Sequence, residues 1–354
     1  MLESILKDLK GQTLEIHKGF YPKETLQKLG ENGFYTHMEN HYSLHTSIQT
    51  IMEISKICGN TGFCLWCHKI FIWYLKHSSH IDRSLYYKAI KGEILGGTGL
   101  SNPIKSFAKI ESIKLKAQKV EGGFILNGVL PYVSNVDWGH YFGIIAAMDS
   151  TNSQDFIMGL IVCDKNRGIK LKEKLNFCAL EGSSTKSVVL KDYFLEEPMI
   201  LSNPASALLP KILPGFVLLQ AGIGLGLINA ALEMIQSQQQ AKGNINTYLP
   251  FDNLQKEYKK LLNLCEFLSQ TPYGSHKIPA NITQLDKNFF ACVLNLKTDI
   301  ANLCLESAKT CMLTYGTKGY LEGSKAHKLL LESYFIAMVT PSTKHIAKLL
   351  HTLY

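Results

Sequence analysis

Gly123-Phe-Ile-Leu-Asn-Gly128, followed two residues on by Pro131-Tyr-Val-Ser-Asn135, is the stretch on which the reading of the fold turns. Phe124, Ile125 and Leu126 run into Asn-Gly, the pair that most often closes a tight turn, so the segment predicts a strand entering a turn. Working outward, Ile113-Lys-Leu-Lys-Ala117 alternates with a period of two, and Tyr141–Met148 and Phe156–Val162 are apolar runs of strand length. Ser187-Val-Val-Leu190 and Tyr193-Phe-Leu195 continue the pattern. The middle third, 93–203, therefore reads as a β domain.

On both sides the period becomes helical. Residues 1–92 predict helices through Leu29, over Ser43–Ile57, over Phe63–Lys76 and over Asp82–Ile90. Residues 204–354 predict four long helices, near 207–241, 251–270, 284–315 and 324–353, with Gly and Pro between them. The expected fold class is α+β: an N-terminal helical domain, a middle β-barrel-like domain and a C-terminal four-helix bundle.

Composition narrows the function classes. With 46% hydrophobic and 19% charged residues among 354, the chain has the makings of a real core and does not read as disordered. Lys and Arg outnumber Asp and Glu by 37 to 29, but the basic residues are scattered and no nucleic-acid motif is present. Arg occurs only at Arg83 and Arg167, so an anion site here must use Lys, backbone N–H groups or helix ends rather than guanidinium forks. The start, Met1-Leu-Glu-Ser-Ile-Leu-Lys-Asp-Leu9, lacks the apolar run of a signal peptide. Cys58, Cys163, Cys178, Cys265, Cys292, Cys304 and Cys311 lie in apolar surroundings, as reduced, buried thiols would, and the reading is cytoplasmic.

Two strings imitate other chemistry. Cys64-Leu-Trp-Cys67-His68 has the spacing of covalent haem attachment, but it sits in a run, Phe63 to Leu75, that reads as a buried helix. No further ligand closes a metal site around it, and no metal is expected. Phe216–Ile235 is long enough to cross a bilayer, yet Gln220, Asn229 and Glu233 interrupt it and no membrane partner is expected. Its Gly222, Gly224 and Gly226 imitate a dinucleotide fingerprint without the preceding strand, and small residues there suit close helix packing.

The order helical, β, helical resembles the acyl-CoA dehydrogenase superfamily over nearly the whole chain, and three strings carry the likeness. The opening stretch is similar to the family's Y-I-I-N-G … W-I-T-N element, whose aromatic and hydroxyl residues border the flavin ring; this implies Tyr132 and Ser134 as cofactor contacts. Leu100-Ser-Asn-Pro103 is similar to V-T-E-P, a loop against the flavin pyrimidine, implying Ser101 and Asn102. Tyr315-Gly-Thr-Lys-Gly-Tyr320 resembles H-G-G-x-G-Y near the nucleotide end, implying Tyr315, Gly316, Thr317 and Gly319. The resemblance implies FAD, with FMN as the alternative. A Ser134 hydroxyl at flavin N5 or O4 would stabilise charge developing on reduction, although a serine also simply ends many strands.

The likeness fails where the chemistry is decided. Family members remove a thioester α-proton with a Glu, and that position falls on Thr340 or Pro341; the other site used in the family falls in Pro214–Gln220, which has no carboxylate. The Arg that binds the flavin pyrophosphate falls on Asn244, with Lys242 nearby. Loss of the Glu resembles a monooxygenase branch that uses reduced flavin and oxygen, and this implies His68 as a candidate beside Ser134 and Thr340. A second histidine of that branch corresponds to Val339, and spacing does not bring His345 to the site. Glu332 reads as a structural acceptor and Lys105 as a solvated loop lysine or a phosphate contact.

The expected function is a flavin-dependent oxidoreductase acting on the CH–CH bond of an acyl thioester; the alternatives are a two-component monooxygenase using reduced FMN or FAD and oxygen, and a non-catalytic flavin- or acyl-binding subunit. The resemblance further implies an electron-transfer partner or a flavin reductase, and a homodimer or homotetramer that completes the flavin site across its interface.

Overall fold

The computed structural model describes residues 1–36, 43–149, 155–172, 176–242, 251–271 and 284–353. Five helices come first: α1 (Leu2–His17), α2 (Lys23–Glu31), α3 (Ser43–Ile57), α4 (Gly59–His77) and α5 (Arg83–Ile90). The single helix expected through Leu29 is two, because Gly19 turns the chain at φ +109° and Pro22, which has no N–H to continue a helix, caps the next one. α4 is buried from Gly59 to Leu75, so every face of it packs on protein. Cys64, Cys67 and His68 are core residues of that helix.

The middle segment holds β1 (Gly96–Thr98), α6 (Ser101–Phe107), β2 (Leu115–Val120), β3 (Gly123–Val133), β4 (Tyr141–Met148), β5 (Phe156–Val162), β6 (Ile169–Lys172), β7 (Lys186–Glu196) and β8 (Ile200–Ser202). They form one mixed sheet in the order β6-β7-β3-β2-β4-β5-β8, with β1 parallel to β4. The pleat sorts the side chains: on β4, Phe142, Ile144 and Ala146 enter the core of the sheet, whereas Ile145 joins the core of the helices.

Asn127-Gly128 does not make the expected turn. β3 continues through it with an irregular register against β7, Gly128 lies at φ +141°, and a Cβ there would stand 2.3 Å from the Lys114 carbonyl oxygen. A bulge, not a hairpin, needs this glycine. A second irregularity falls between Leu130 and Val133, where Pro131 has no donor for the ladder. It frees Tyr132, 50% exposed, from regular pairing just before Ser134.

The last segment comprises α7 (Leu209–Leu218), α8 (Ala221–Lys242), α9 (Phe251–Gln270), α10 (Gln284–Tyr315), the short α11 (Thr317–Tyr320), α12 (Lys325–Met338) and α13 (Thr343–Leu353). Two of the four expected helices are broken, at Leu219-Gln220 and at Val339–Ser342, the latter because the residue before Pro341 is pushed out of helical conformation. The bilayer-length run is wrapped by protein, with 89% of its most apolar window buried. A Cβ at Gly222 or Gly226 would stand 2.7 Å from the Ile48 oxygen or 2.4 Å from the Met52 oxygen, so these glycines let α3 lie against α8. Seven of the nine cysteines are buried and all nine are free; Cys178 and Cys292, expected inside, are exposed.

Candidate active site

The end of β3, the connection leading into β7, α4, α7 and the α12–α13 break enclose a cavity of about 510 Å³, within the range typical of small-molecule sites. One wall is aromatic. Phe63 and Trp66, three apart on α4, stand on one helix face; Trp66 meets Phe216 of α7 edge-on at 5.0 Å and Phe63 meets Phe335 of α12 at 4.6 Å. Trp66 also donates its Nε1–H to the Phe216 carbonyl at 3.2 Å, which fixes the indole.

Another part of the lining carries hydroxyls. Asn135, in left-handed conformation at φ +59°, donates from its amide to the Gly96 carbonyl and accepts from the Tyr21 hydroxyl, both at 2.7 Å, and so pins the end of β3. Gly97 admits that strand end, since a Cβ there would lie 2.1 Å from the Ser134 carbonyl oxygen. Thr185 donates its hydroxyl to Ser134 Oγ at 2.8 Å, and Ser183 and Thr185 hydroxyls are also 2.8 Å apart. With the Thr185 proton used, Ser183 is the donor to Thr185, and the Ser134 hydroxyl keeps its own proton for a group in the cavity.

A third wall joins α6 to the α12–α13 break. Ser101 and Thr340 meet hydroxyl to hydroxyl at 2.9 Å, and Lys105, Ser342 and His345 lie beside them. The break is held by side chains from outside it. Lys297, buried in α10, donates to the carbonyls of Val339 at 2.7 Å and Pro341 at 2.5 Å, and Gln220 donates to that of Thr340 at 2.9 Å. Burial pushes the Lys297 pKa well below its ordinary value.

Four residues expected at the site, Ser101, Tyr132, Ser134 and Thr340, line this one cavity. His68 does not. Two residues beyond Trp66 on α4, about 200° around the helix, it points into the N-terminal core. Its Nδ1 accepts from the Gly96 N–H at 3.3 Å, its Nε2 donates to the Ala89 carbonyl at 3.1 Å, and burial pulls its pKa down to about 3. Asn102 turns away as well, bracing its own loop through Glu111, the Ser112 carbonyl and the Lys114 N–H. Tyr315, Gly316, Thr317 and Gly319 lie at the α10–α11 junction and do not line the cavity; Gly319 packs on Met312. Asn244 and the side chain of Lys242 lie outside the described residues.

His345, which spacing did not bring in, is at the wall. Ser342 caps α13 with Oγ on the His345 N–H at 3.4 Å, and His345 Nδ1 accepts the Ser342 N–H at 3.3 Å, a reciprocal cap with histidine in place of the usual Glu. Nε2 therefore carries the proton. Burial, then the charges of Lys105 and Lys297, lower the His345 pKa and keep the ring neutral near pH 7. The available signal was Pro341 followed by Ser342, a helix stop and restart.

No Asp or Glu is among the described residues lining the cavity. Glu332, buried, accepts the N–H groups of Gly59 at 3.2 Å and Asn60 at 3.3 Å at the start of α4, and pairs with Lys328 at 3.6 Å. It is a helix cap, as its position suggested. Among the described residues no cluster of three or more His, Cys, Asp or Glu is arranged to hold a metal ion.

No family model matches the chain. Mitochondrial isovaleryl-CoA dehydrogenase of Solanum tuberosum is 27% identical over 154 residues, 43% of this chain, and the match spans 37% of that relative's length. The short-chain-specific acyl-CoA dehydrogenase of Clostridium acetobutylicum is 20% identical over 341 residues, 93% of this chain and 88% of the relative. Butyryl-CoA dehydrogenase from Megasphaera elsdenii superposes with a TM-score of 0.80 at 15% identity, covering 99% of this chain and 96% of its own. KijD3, solved with FMN and a dTDP-linked sugar, does so with a TM-score of 0.78 at 15% identity, over 99% and 91%. In its fold, in these relatives and in the three strings in their order, the chain is similar to the acyl-CoA dehydrogenases, and its cavity wall carries Thr340 at the position where that resemblance implies a base.

Proposed function

We propose that the cavity receives the ring system of a flavin and that the protein is a flavin-dependent oxidoreductase. The observation that carries this is the convergence of Ser101, Tyr132 and Ser134 on one cavity, with the Ser134 proton free to donate and aromatic rings elsewhere in the same lining. The residues present fit the ring: a planar, mostly apolar group with carbonyl and nitrogen acceptors along one edge suits one hydroxyl-bearing wall and one aromatic wall. A bound flavin supplies two-electron redox chemistry. The chain's part is to hold the ring, to donate at Ser134, and to keep water out with Phe63, Trp66, Phe216 and Phe335.

Within that class, the two-component reading is the better supported. Removing a thioester α-proton needs a carboxylate or an equivalent base, and the cavity wall offers only the hydroxyls of Thr340 and its neighbours and a histidine whose outward nitrogen carries a proton. Oxygen-dependent chemistry with reduced FMN or FAD from a reductase needs no such base, and KijD3 was solved with FMN. The second reading, dehydrogenation of an acyl thioester, is favoured by the curated relatives, which are acyl-CoA dehydrogenases. The strand of resemblance at Tyr315–Tyr320, with Tyr320 82% and Leu321 60% exposed, suits a homo-oligomer in which one copy contacts the nucleotide end of its neighbour's flavin.

The test is a visible spectrum of the purified protein with FAD or FMN added, followed by anaerobic titration with acyl-CoA thioesters and by oxygen uptake with reduced flavin. Flavin binding with no bleaching by thioesters, and oxygen uptake that a substrate couples to product, supports the two-component reading. Bleaching by one thioester establishes the dehydrogenase, and failure to bind either flavin sinks both.

A further inference from the structure

Lys105 and His345 are the nitrogen-bearing side chains, apart from Trp66, among the described residues lining the cavity, and each keeps an N–H donor that no protein group takes up at hydrogen-bond length. Lys105 Nζ meets Glu111 Oε1 only at 3.9 Å, beyond hydrogen-bond length, because that carboxylate takes its short bond, 3.0 Å, from Asn102 Nδ2 and also faces Lys114 at 3.9 Å. The ammonium is left with N–H donors for a ligand. In His345 the Ser342 N–H occupies Nδ1, so Nε2–H is the donor that remains. The charges that bear on His345 are those of Lys105, of Lys344, which Glu111 opposes, and of Lys297, whose charge burial disfavours, so Lys105 is the principal positive group of this corner. Beyond the pair the walls are Phe335, Met338 and Val339.

The geometry points to a substrate with an apolar body and a carboxylate end, the carboxylate bound by Lys105 Nζ and His345 Nε2–H. Two donors lining the same cavity with one formal positive charge between them match a singly charged carboxylate; a dianionic phosphate would keep one charge unmatched in a partly desolvated corner, and among the described lining residues there is no guanidinium to meet it. This deepens the flavin reading and rests on it for where the substrate lies, but the anion site itself is measurable without flavin.

The test uses phenylacetate, phenylacetamide and phenyl phosphate as probes of equal ring size, followed by quenching of tryptophan fluorescence, to which Trp66 in the cavity wall contributes, and, with flavin bound, by perturbation of the flavin spectrum. Phenylacetate is expected to bind about tenfold tighter than phenylacetamide, the margin of a charge-assisted hydrogen bond, and Lys105→Met and His345→Phe are each expected to erase most of that preference while flavin affinity stays within twofold. Equal binding of acid and amide, or a preference that survives both substitutions in folded protein, overturns the proposal. Tighter binding of phenyl phosphate overturns the carboxylate assignment. Failure of flavin to bind, with acid preferred over amide by fluorescence, removes the flavin reading and leaves the anion site standing.

Discussion

Gln220 donates its side-chain amide to the backbone carbonyl of Thr340 at 2.9 Å, across 120 positions of sequence. Each residue sits at a helix break, Gln220 between α7 and α8 and Thr340 between α12 and α13, so a side chain at one interruption of the bundle satisfies a backbone carbonyl at the other. The wall of the cavity is thus built from helix ends, whose unpaired carbonyls need donors from other elements.

Lys297 supplies the other two donors, and Lys297→Met leaves the carbonyls of Val339 and Pro341 buried and unpaired. Relief from burying an ammonium offsets part of the cost, and a net loss of about 1–3 kcal/mol is expected by denaturant unfolding. Lys297→Met should also weaken binding of any cavity ligand detected by Trp66 fluorescence, while a surface control such as Lys260→Met changes neither. Unchanged stability together with unchanged ligand affinity would show that the clamp is dispensable.

Ser134→Ala removes the donor aimed into the cavity and is expected to weaken flavin binding by about tenfold. Thr185→Val removes the bond that orients that donor, so its effect should have the same direction and be smaller. Flavin affinity measured by fluorescence decides; a larger loss for Thr185→Val than for Ser134→Ala would contradict the relay.

Glu332→Gln breaks a buried pair with Lys328 and weakens the acceptor for two N–H groups of α4, with an expected loss of about 3 kcal/mol in unfolding experiments. Because Glu332 does not line the cavity, activity per folded molecule should survive at a temperature where the variant is native. Abolished turnover in folded Glu332→Gln would return the base role to this residue.

Lys69, wholly buried, donates to the Phe34 carbonyl at 2.8 Å, and burial lowers its pKa to about 7 from 10.5. Between those values the unfolded chain binds more protons than the folded one, so this group's contribution to stability rises with pH across the window and is flat below it. Wild-type stability minus that of Lys69→Met should therefore increase from pH 7 towards pH 10. A difference independent of pH would mean that the ammonium stays charged in the fold.

Part of the cavity lining was legible through the family resemblance. Ser101, Tyr132 and Ser134 come from two strings 30 positions apart and share one cavity, because a strand end and a helix start are local decisions that motifs record. The Ser43–Ile57 helix was also readable, bounds included, as was the close packing allowed by Gly222 and Gly226. Periodicity carries these features, since they depend on which side chains neighbour one another along an element.

Long-range contacts decided the rest. His68 and His345 are both histidines in helices, and only packing set one into the N-terminal core and the other on the cavity wall. Asn127-Gly128 would close a hairpin in isolation, but pairing with β7 on one side and β2 on the other draws it into a bulge. The break at Leu219-Gln220 has no local breaker at its centre, and only the tertiary structure shows the buried Gln220 side chain reaching the Thr340 carbonyl from it. Local sequence set most of the helices and strands and the chemistry available to them, though not every break between them. Only the tertiary structure decided which groups face the cavity, because orientation around a helix axis and the pairing of buried polar groups are settled between elements rather than within them.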